Sequence, residues 1–391
     1  MDLLGLIEVA AGSSTPDWQS KVVWLEDQYN RCRIGGGSGE GGGDGACARA
    51  AGPGVTAAAA GCAHDAAARL AWLLARGYFA DGSAVHAALR AGNAEALRLL
   101  LAGSAAAAVG AGAPSTAFLP GPVMMAVDAG HQEALQVLHS HGRSPLDVDK
   151  GLLASACRRA ATRGHLQLLA WLLGLYGGPR APAARELLPG LTEAAAQSGS
   201  VELLAWLVGQ CGGPLNKRVF LAAAAAGCAE ALEWLAARGC VMGGKGNAYV
   251  RAARNGDLAT LRCLAQLRVP WGPGGSVFSR CAGGNAFAPC ARPVLAFLLE
   301  LGCPVDWDEA MAAAEDRADG VPAWLAERRA AAAAEEELAA APRWCGLGRA
   351  LRRLLGGCGA GRGRGGRDCD TAGPASRGCA RRRARGARWL D

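Results

Sequence analysis

AAAQSGSVELLAWL (residues 194–207) and AARNGDLATLRCL (residues 252–264) are written to one plan. An alanine pair precedes a glycine by four and three residues or more, and two leucines follow it at five and eight. Taking Gly92, Gly130, Gly164, Gly199, Gly227 and Gly256 as position zero, alanine stands four residues earlier every time: Ala88, Ala126, Ala160, Ala195, Ala223 and Ala252. Five residues after the glycine come Leu97, Leu135, Leu169, Leu204, Leu232 and Leu261, and three further on Leu100, Leu138, Leu172, Leu207, Leu235 and Leu264. Leucines three apart share one face of a helix, so the second half of each unit reads as a short helix with a buried stripe. The glycine ends the helix before it, at a position that calls for a left-handed residue.

The residue after the glycine is a cap or turn former in Asn93, Ser200 and Asp257 and a weaker one in His131, His165 and Cys228. Glu95, Glu133, Gln167, Glu202 and Glu230 stand in the first turn that follows, where four acids face the positive end of the helix dipole. Weaker units flank the six. Leu70 and Leu73 with Gly77 form one, Leu295 and Leu298 with Gly302 another, and Val22 with Leu25 a third. Trp324-Leu325, with Pro322 at the stripe position, reads as a degenerate last copy. From Leu70 to Leu295 the first stripe leucines are 27 to 38 residues apart. Six of the eleven tryptophans belong to Trp-Leu pairs on these second helices, with leucine on the stripe and tryptophan packing against the next unit.

The stretch A-A-x-x-G-[HND]-x-E-x-L-x-x-L-x-x-x-G, clearest in the two segments above and in AVDAGHQEALQVLHSHG (residues 126–142), resembles the ankyrin repeat. That family's unit is a turn plus two short helices with a period of about 33 residues. The resemblance covers roughly residues 17–329. The family's T-P-L-H element is retained only as Ser83-Ala84-Val85-His86 and partly as Gly121-Pro122-Val123-Met124. A tetratricopeptide array has a similar period, but turn formers such as Gly177-Gly178-Pro179, Gly212-Gly213-Pro214 and Gly272-Pro273-Gly274-Gly275 favour short helices and long turns. The expected fold is all-α: an ankyrin-like helical solenoid of about nine or ten units over residues 1–329, with a Gly-rich insertion near 35–55. Residues 330–391, Ala-rich and then Arg/Gly-rich, are expected to form a disordered basic tail.

The resemblance implies a non-enzymatic protein-binding scaffold that holds its partner on a concave face. Residues one, two and five before each glycine turn away from the alanine pair and would line it. These are Ala87, Arg90 and Ala91; Met125, Asp128 and Ala129; Arg159, Thr162 and Arg163; Ala194, Gln197 and Ser198; Ala222, Ala225 and Ala226; and Arg251, Arg254 and Asn255. The candidate binding residues are therefore Arg90, Asp128, Arg159, Thr162, Arg163, Gln197, Arg251, Arg254 and Asn255, and an acidic or mixed partner segment fits them.

The bulk properties are compatible with that reading. Much of the 51% hydrophobic fraction is alanine, which buries little area. The longest uncharged stretch, Leu99–Val127, contains Pro114, Pro120 and Pro122, unlike a spanning helix of about 20 apolar residues. MDLLGLIEVA has no basic residue before its short apolar run, so no secretory signal is expected. Fifteen cysteines without a C-x-x-C pair fit a reducing, intracellular compartment, cytoplasm or nucleus, better than a disulfide scaffold. From Arg343 onward there are thirteen arginines against three acids, a composition able to attract RNA or acidic proteins as an alternative function. Yet only four lysines stand against 37 arginines, the pattern of GC-rich coding DNA, so arginine abundance by itself carries no argument.

Motifs with chemical meaning fail on context. GCVMGGKG, residues 239–246, approaches a phosphate loop but has Gly246 in place of the magnesium-binding hydroxyl and follows a helix rather than a strand. Gly37, Gly39 and Gly42 match a dinucleotide frame only because their segment is almost all glycine. Cys62-Ala63-His64 and His139-Ser140-His141 lack a second pair at metal-ligand spacing. No nucleophilic triad stands out. A monomer without cofactor or metal is expected.

Overall fold

The computed structural model describes residues 3–34, 53–107, 120–142, 144–283 and 289–340; the Gly-rich stretch from residue 35 to 52 and the arginine-rich tail from residue 341 lie outside the described residues. Among these there are twenty α-helices and no strand. They follow one another in pairs. The first are α1 (Leu3–Ala11) with α2 (Trp18–Ile34), α3 (Pro53–Ala60) with α4 (Ala66–Ala75), and α5 (Gly82–Ala91) with α6 (Ala94–Ala107). Next come α7 (Pro120–Ala129) with α8 (Gln132–Ser140), and α9 (Lys150–Thr162) with α10 (Leu166–Leu175). The long α11 (Pro182–Ser198) precedes α12 (Val201–Trp206), which continues as a π turn over Leu207–Cys211. Then come α13 (Lys217–Ala226) with α14 (Ala229–Ala237), and α15 (Asn247–Arg254) with α16 (Leu258–Gln266). The series closes with α17 (Ser276–Gly283) and α18 (Arg292–Glu300), then α19 (Trp307–Ala314) and α20 (Val321–Ala340).

From α1 to α19 each odd-numbered helix packs on the next odd-numbered one. Along the even-numbered row, α4, α6 and α8 touch in sequence, as do α12, α14, α16 and α18. The core lies between the rows. The alanines four before each glycine and the leucines five after it are at most 1% exposed. Alanine there lets two helices approach closely, and the leucine stripe fills the space that the approach leaves. Contacts divide the chain after Arg329, although α20 itself runs on to Ala340.

The six repeat glycines have φ between 69° and 78°. In five of the six the backbone N–H of the residue after the glycine closes the turn on the carbonyl of the alanine four before it, as in His131 to Ala126 (2.9 Å) and Asp257 to Ala252 (3.0 Å), whereas at Gly199 the Ser198 hydroxyl donates to the Ala195 carbonyl (2.8 Å). Among the described residues two others adopt a left-handed conformation without being glycine. Asp65 (φ 57°) stands five before Leu70, the place of the repeat glycine, and Arg268 (φ 55°) stands where second helices elsewhere end in Gly142 or Gly239.

Several expectations are corrected. Pro53–Val55, assigned to the Gly-rich insertion, begins α3. Ala330–Ala340, assigned to the disordered tail, is helical, as its run of alanine and glutamate favours. Leu3–Ala11, within the expected array, is the first helix of a pair whose second helix carries Val22 and Leu25. Val321, not Pro322, fills the last stripe. Two of the tryptophans, expected to pack on the next unit, meet the preceding pair: Trp72 meets Trp18 edge-on at 5.1 Å, and Trp171 meets His139 at 5.8 Å. Trp24 has no described pair before it and is 61% exposed. Guanidinium groups four residues on cover Trp72 and Trp234, at 4.8 Å from Arg76 and 3.9 Å from Arg238.

A buried polar cluster fastens α2 to α4. Glu26 accepts from Arg76 (2.5 Å) and from the Tyr78 hydroxyl (2.7 Å), while Arg69 lies over the Trp18 ring and donates to the Ala11 carbonyl (2.9 Å). That last bond exemplifies a recurring joint. Asn93 donates to the carbonyls of Ala60 and Cys62 (both 2.7 Å), and Asn255 to that of Ala225 (2.6 Å). His131 and His165 present Nε2 to the carbonyls of Arg90 (3.2 Å) and Asp128 (3.1 Å), and Arg317 donates to those of Ala282 (2.6 Å) and Cys290 (2.8 Å). All of these acceptors except Cys290 stand at or near the end of the preceding first helix, where carbonyls lack an intrahelical donor. His131 and His165, weak as caps and making no capping bond, serve the joint instead. Ser200 and Asp257 do cap, accepting from Leu203 N (3.2 Å) and Thr260 N (3.0 Å). Asp81, Asp149, Asn216 and Asp306 cap the N-termini of the first helices α5, α9, α13 and α19.

Two stability measurements follow from these joints. A Cβ at Gly130 would lie 2.8 Å from the His165 imidazole. Gly130→Ala is expected to cost about 1–3 kcal/mol from strain and crowding. In a His165→Ala background the crowding part disappears and the strain remains, so denaturant titration of the double-mutant cycle gives a non-zero coupling; strict additivity would disprove the joint. Arg268→Gly, which relieves a left-handed arginine, should stabilise by about 0.5–1 kcal/mol in the same assay.

Candidate interaction face

The residues expected to line a binding face sit near the C-terminal ends of the odd-numbered helices α5 to α15. Arg90, Thr162, Arg163, Gln197, Arg251, Arg254 and Asn255 are exposed, and Asp128 is half-buried. Arg159 is exposed and forms an ion pair with Asp128 of the neighbouring helix, so these two neutralise each other. Thr162 turns its hydroxyl back to the Arg158 carbonyl (2.9 Å), and Asn255 is engaged in the joint to α13. Among the described residues Arg90, Arg163, Arg251 and Arg254 make no ion pair.

Five residues before the glycine the face is not uniform. Met125, Arg159 and Arg251 are exposed, whereas Ala87, Ala194 and Ala222 are buried. The backbone direction is the same in both groups; a methyl group is covered by the adjacent helix, and a longer side chain reaches past it. Where alanines meet, the surface sinks. A hollow of about 360 Å³ spans α3, α5 and α7, with Ala57, Ala58 and Ala87 at its floor, Met125 and His86 at its sides and Arg90 among its lining. Met125 is 51% exposed. Ala57 and Ala58 went unassigned because their helix ends without the repeat glycine; the alanine run before Gly61 was the signal that could have found them.

Other clusters offer little chemistry. Among the described residues no three His, Cys, Asp or Glu side chains stand together as metal ligands. His139 instead pairs with Asp147 (2.7 Å), and His141 Nδ1 meets the Val137 carbonyl (2.9 Å). Burial pushes the thiols of Cys157 and Cys303 up to about 12. A hydrogen bond between the buried Cys281 and Cys290 raises the first and lowers the second, with Arg254 and Arg317 also favouring the Cys290 thiolate. Residues 239–246 form an irregular connection between α14 and α15, not a strand-to-helix phosphate loop. No described helix is long and apolar enough to cross a membrane. No protein-family model matches the chain, and no curated protein shows significant similarity to it.

Proposed function

We propose that residues 3–329 form an ankyrin-like solenoid acting as a non-enzymatic, intracellular interaction scaffold. It holds an acidic or mixed segment of a partner protein along the odd-numbered helices. The observation that carries this reading is the hollow beside Arg90. An alanine floor with an exposed methionine at its side accepts an apolar anchor. Arg163, Arg251 and Arg254, further along the same row and unpaired, add charge-assisted contacts to carboxylates. The partner is therefore a segment with an apolar residue and acids spaced along its length. A second reading rests on the thirteen arginines from Arg343 onward, which suit RNA or another polyanion.

Peptides selected from a display library against the full chain should carry that pattern. Their affinity should fall at least about tenfold in Arg163→Ala/Arg254→Ala, and again in Ser83→Trp, which crowds the hollow; unfolding midpoints should shift by under about 0.5 kcal/mol equivalent for each arginine. Unchanged affinity in both variants places the partner elsewhere. RNA binding measured on the full chain should, on the second reading, disappear when residues 343–391 are deleted and weaken steeply with salt. Binding that survives the deletion removes the tail from consideration.

A further inference from the structure

The regular plan is interrupted at α11 and α12, and a cleft lies there. It has a volume of about 600 Å³ and lies between the N-terminal half of α11 and the turn that follows α12. Two departures from helical regularity face each other across it. Pro189 stands inside α11 and has no N–H to offer the carbonyl four residues earlier, that of Arg185. Opposite, α12 widens into the π turn Leu207–Cys211, an irregularity common at functional sites. A Cβ added at Gly209 or Gly212 would meet nothing within 4 Å, so the wall on that side is bare.

The lining divides into two kinds of surface. Leu188, Pro189 and Pro214 are apolar. Arg180 and Arg185 are exposed cations, and among the described residues no carboxylate lines the cleft. Arg180 is held in place through Nε, which donates to the Gln210 carbonyl at 3.2 Å. That bond leaves both Nη groups for a ligand, and Arg185 makes no ion pair among the described residues. Two guanidinium groups without a counter-charge select a carboxylate, and the apolar walls select a neighbouring aliphatic side chain. A nucleotide is disfavoured, because no aromatic side chain lines the cleft to stack on a base.

We propose that this cleft is a second binding site, for a short peptide carrying a carboxylate beside an aliphatic residue. It is separate from the interaction face proposed above. Arg185 and Gln197 lie twelve residues apart on α11, about 18 Å along its axis. The carboxylate comes either from an Asp side chain within a chain or from a free C-terminus.

The test uses the full protein and the fluorescein-labelled peptide Gly-Leu-Asp-Leu-Gly with an amidated end. A Gly-Leu-Asn-Leu-Gly amide and the same Asn peptide with a free C-terminus separate the two carboxylate sources. Anisotropy should show saturable binding of at least one carboxylate-bearing peptide and at least about tenfold weaker binding of the Asn amide. Arg180→Ala/Arg185→Ala should weaken binding by a similar factor, and Gly209→Leu should abolish it by filling the cleft. Arg163→Ala/Arg254→Ala should leave it unchanged, so failure of the first face and failure of the cleft are distinguishable. Both cleft arginines are exposed, and circular dichroism should report an unaltered fold for their double variant. Absence of binding, equal binding of all three peptides, or indifference to the cleft arginines overturns the proposal.

Discussion

The joint between consecutive helix pairs is the interaction on which the other features depend. A helix that stops leaves carbonyls without donors, and a buried unpaired carbonyl is costly. Here the next pair supplies the donor in many of the junctions, from Arg69 on Ala11 to Arg317 on Ala282. The donor varies among Arg, Asn and His, because the requirement is an N–H at the right reach rather than a particular residue. The glycine varies much less. It turns the chain left-handed, and its bare Cα admits the side chain arriving from the next pair, as His165 does against Gly130. One residue thus meets a local and a tertiary constraint together.

Close approach of the odd-numbered helices sets the character of the exposed face. Alanine at the contact positions brings the helices together, and the same alanines leave hollows wherever no long side chain projects over them. Charges on the row are then near enough to act across helices. Asp128 is satisfied by Arg159 of the neighbouring helix, and the arginines without such a neighbour stay available. The chemistry of the face is consequently a residue of the packing: the same spacing neutralises one cation and leaves another unpaired.

Departures from the plan are informative because the plan is strict. Asp65 and Arg268 accept a left-handed conformation that disfavours a side chain, and they occupy glycine positions because the chain must still turn there. Pro189 and the π turn at Leu207–Cys211 are different. Both interrupt helical regularity, and Pro189 and the Gly209–Cys211 part of the π turn line the same cleft.

What the sequence by itself determined is the alternation of a closely packed alanine helix, a glycine turn and a leucine-striped helix. Those features repeat at 3.6-residue periodicity and at a backbone angle that glycine adopts most readily, so each was readable within about a dozen residues. The burial of Ala88 and Leu97 or of Ala252 and Leu261 needed no knowledge of neighbours. Features set by neighbours were not readable. Trp24 and Trp324 occupy equivalent Trp-Leu pairs, yet one is 61% exposed and the other 5%. Ala87 and Met125 occupy equivalent positions, yet only the second reaches solvent. His131 and His165 looked like poor caps because the carbonyls they serve lie 41 and 37 residues earlier in the chain. A local pattern specifies which way a side chain points; what it meets there depends on the helix stacked beside it, and only the tertiary structure decides that.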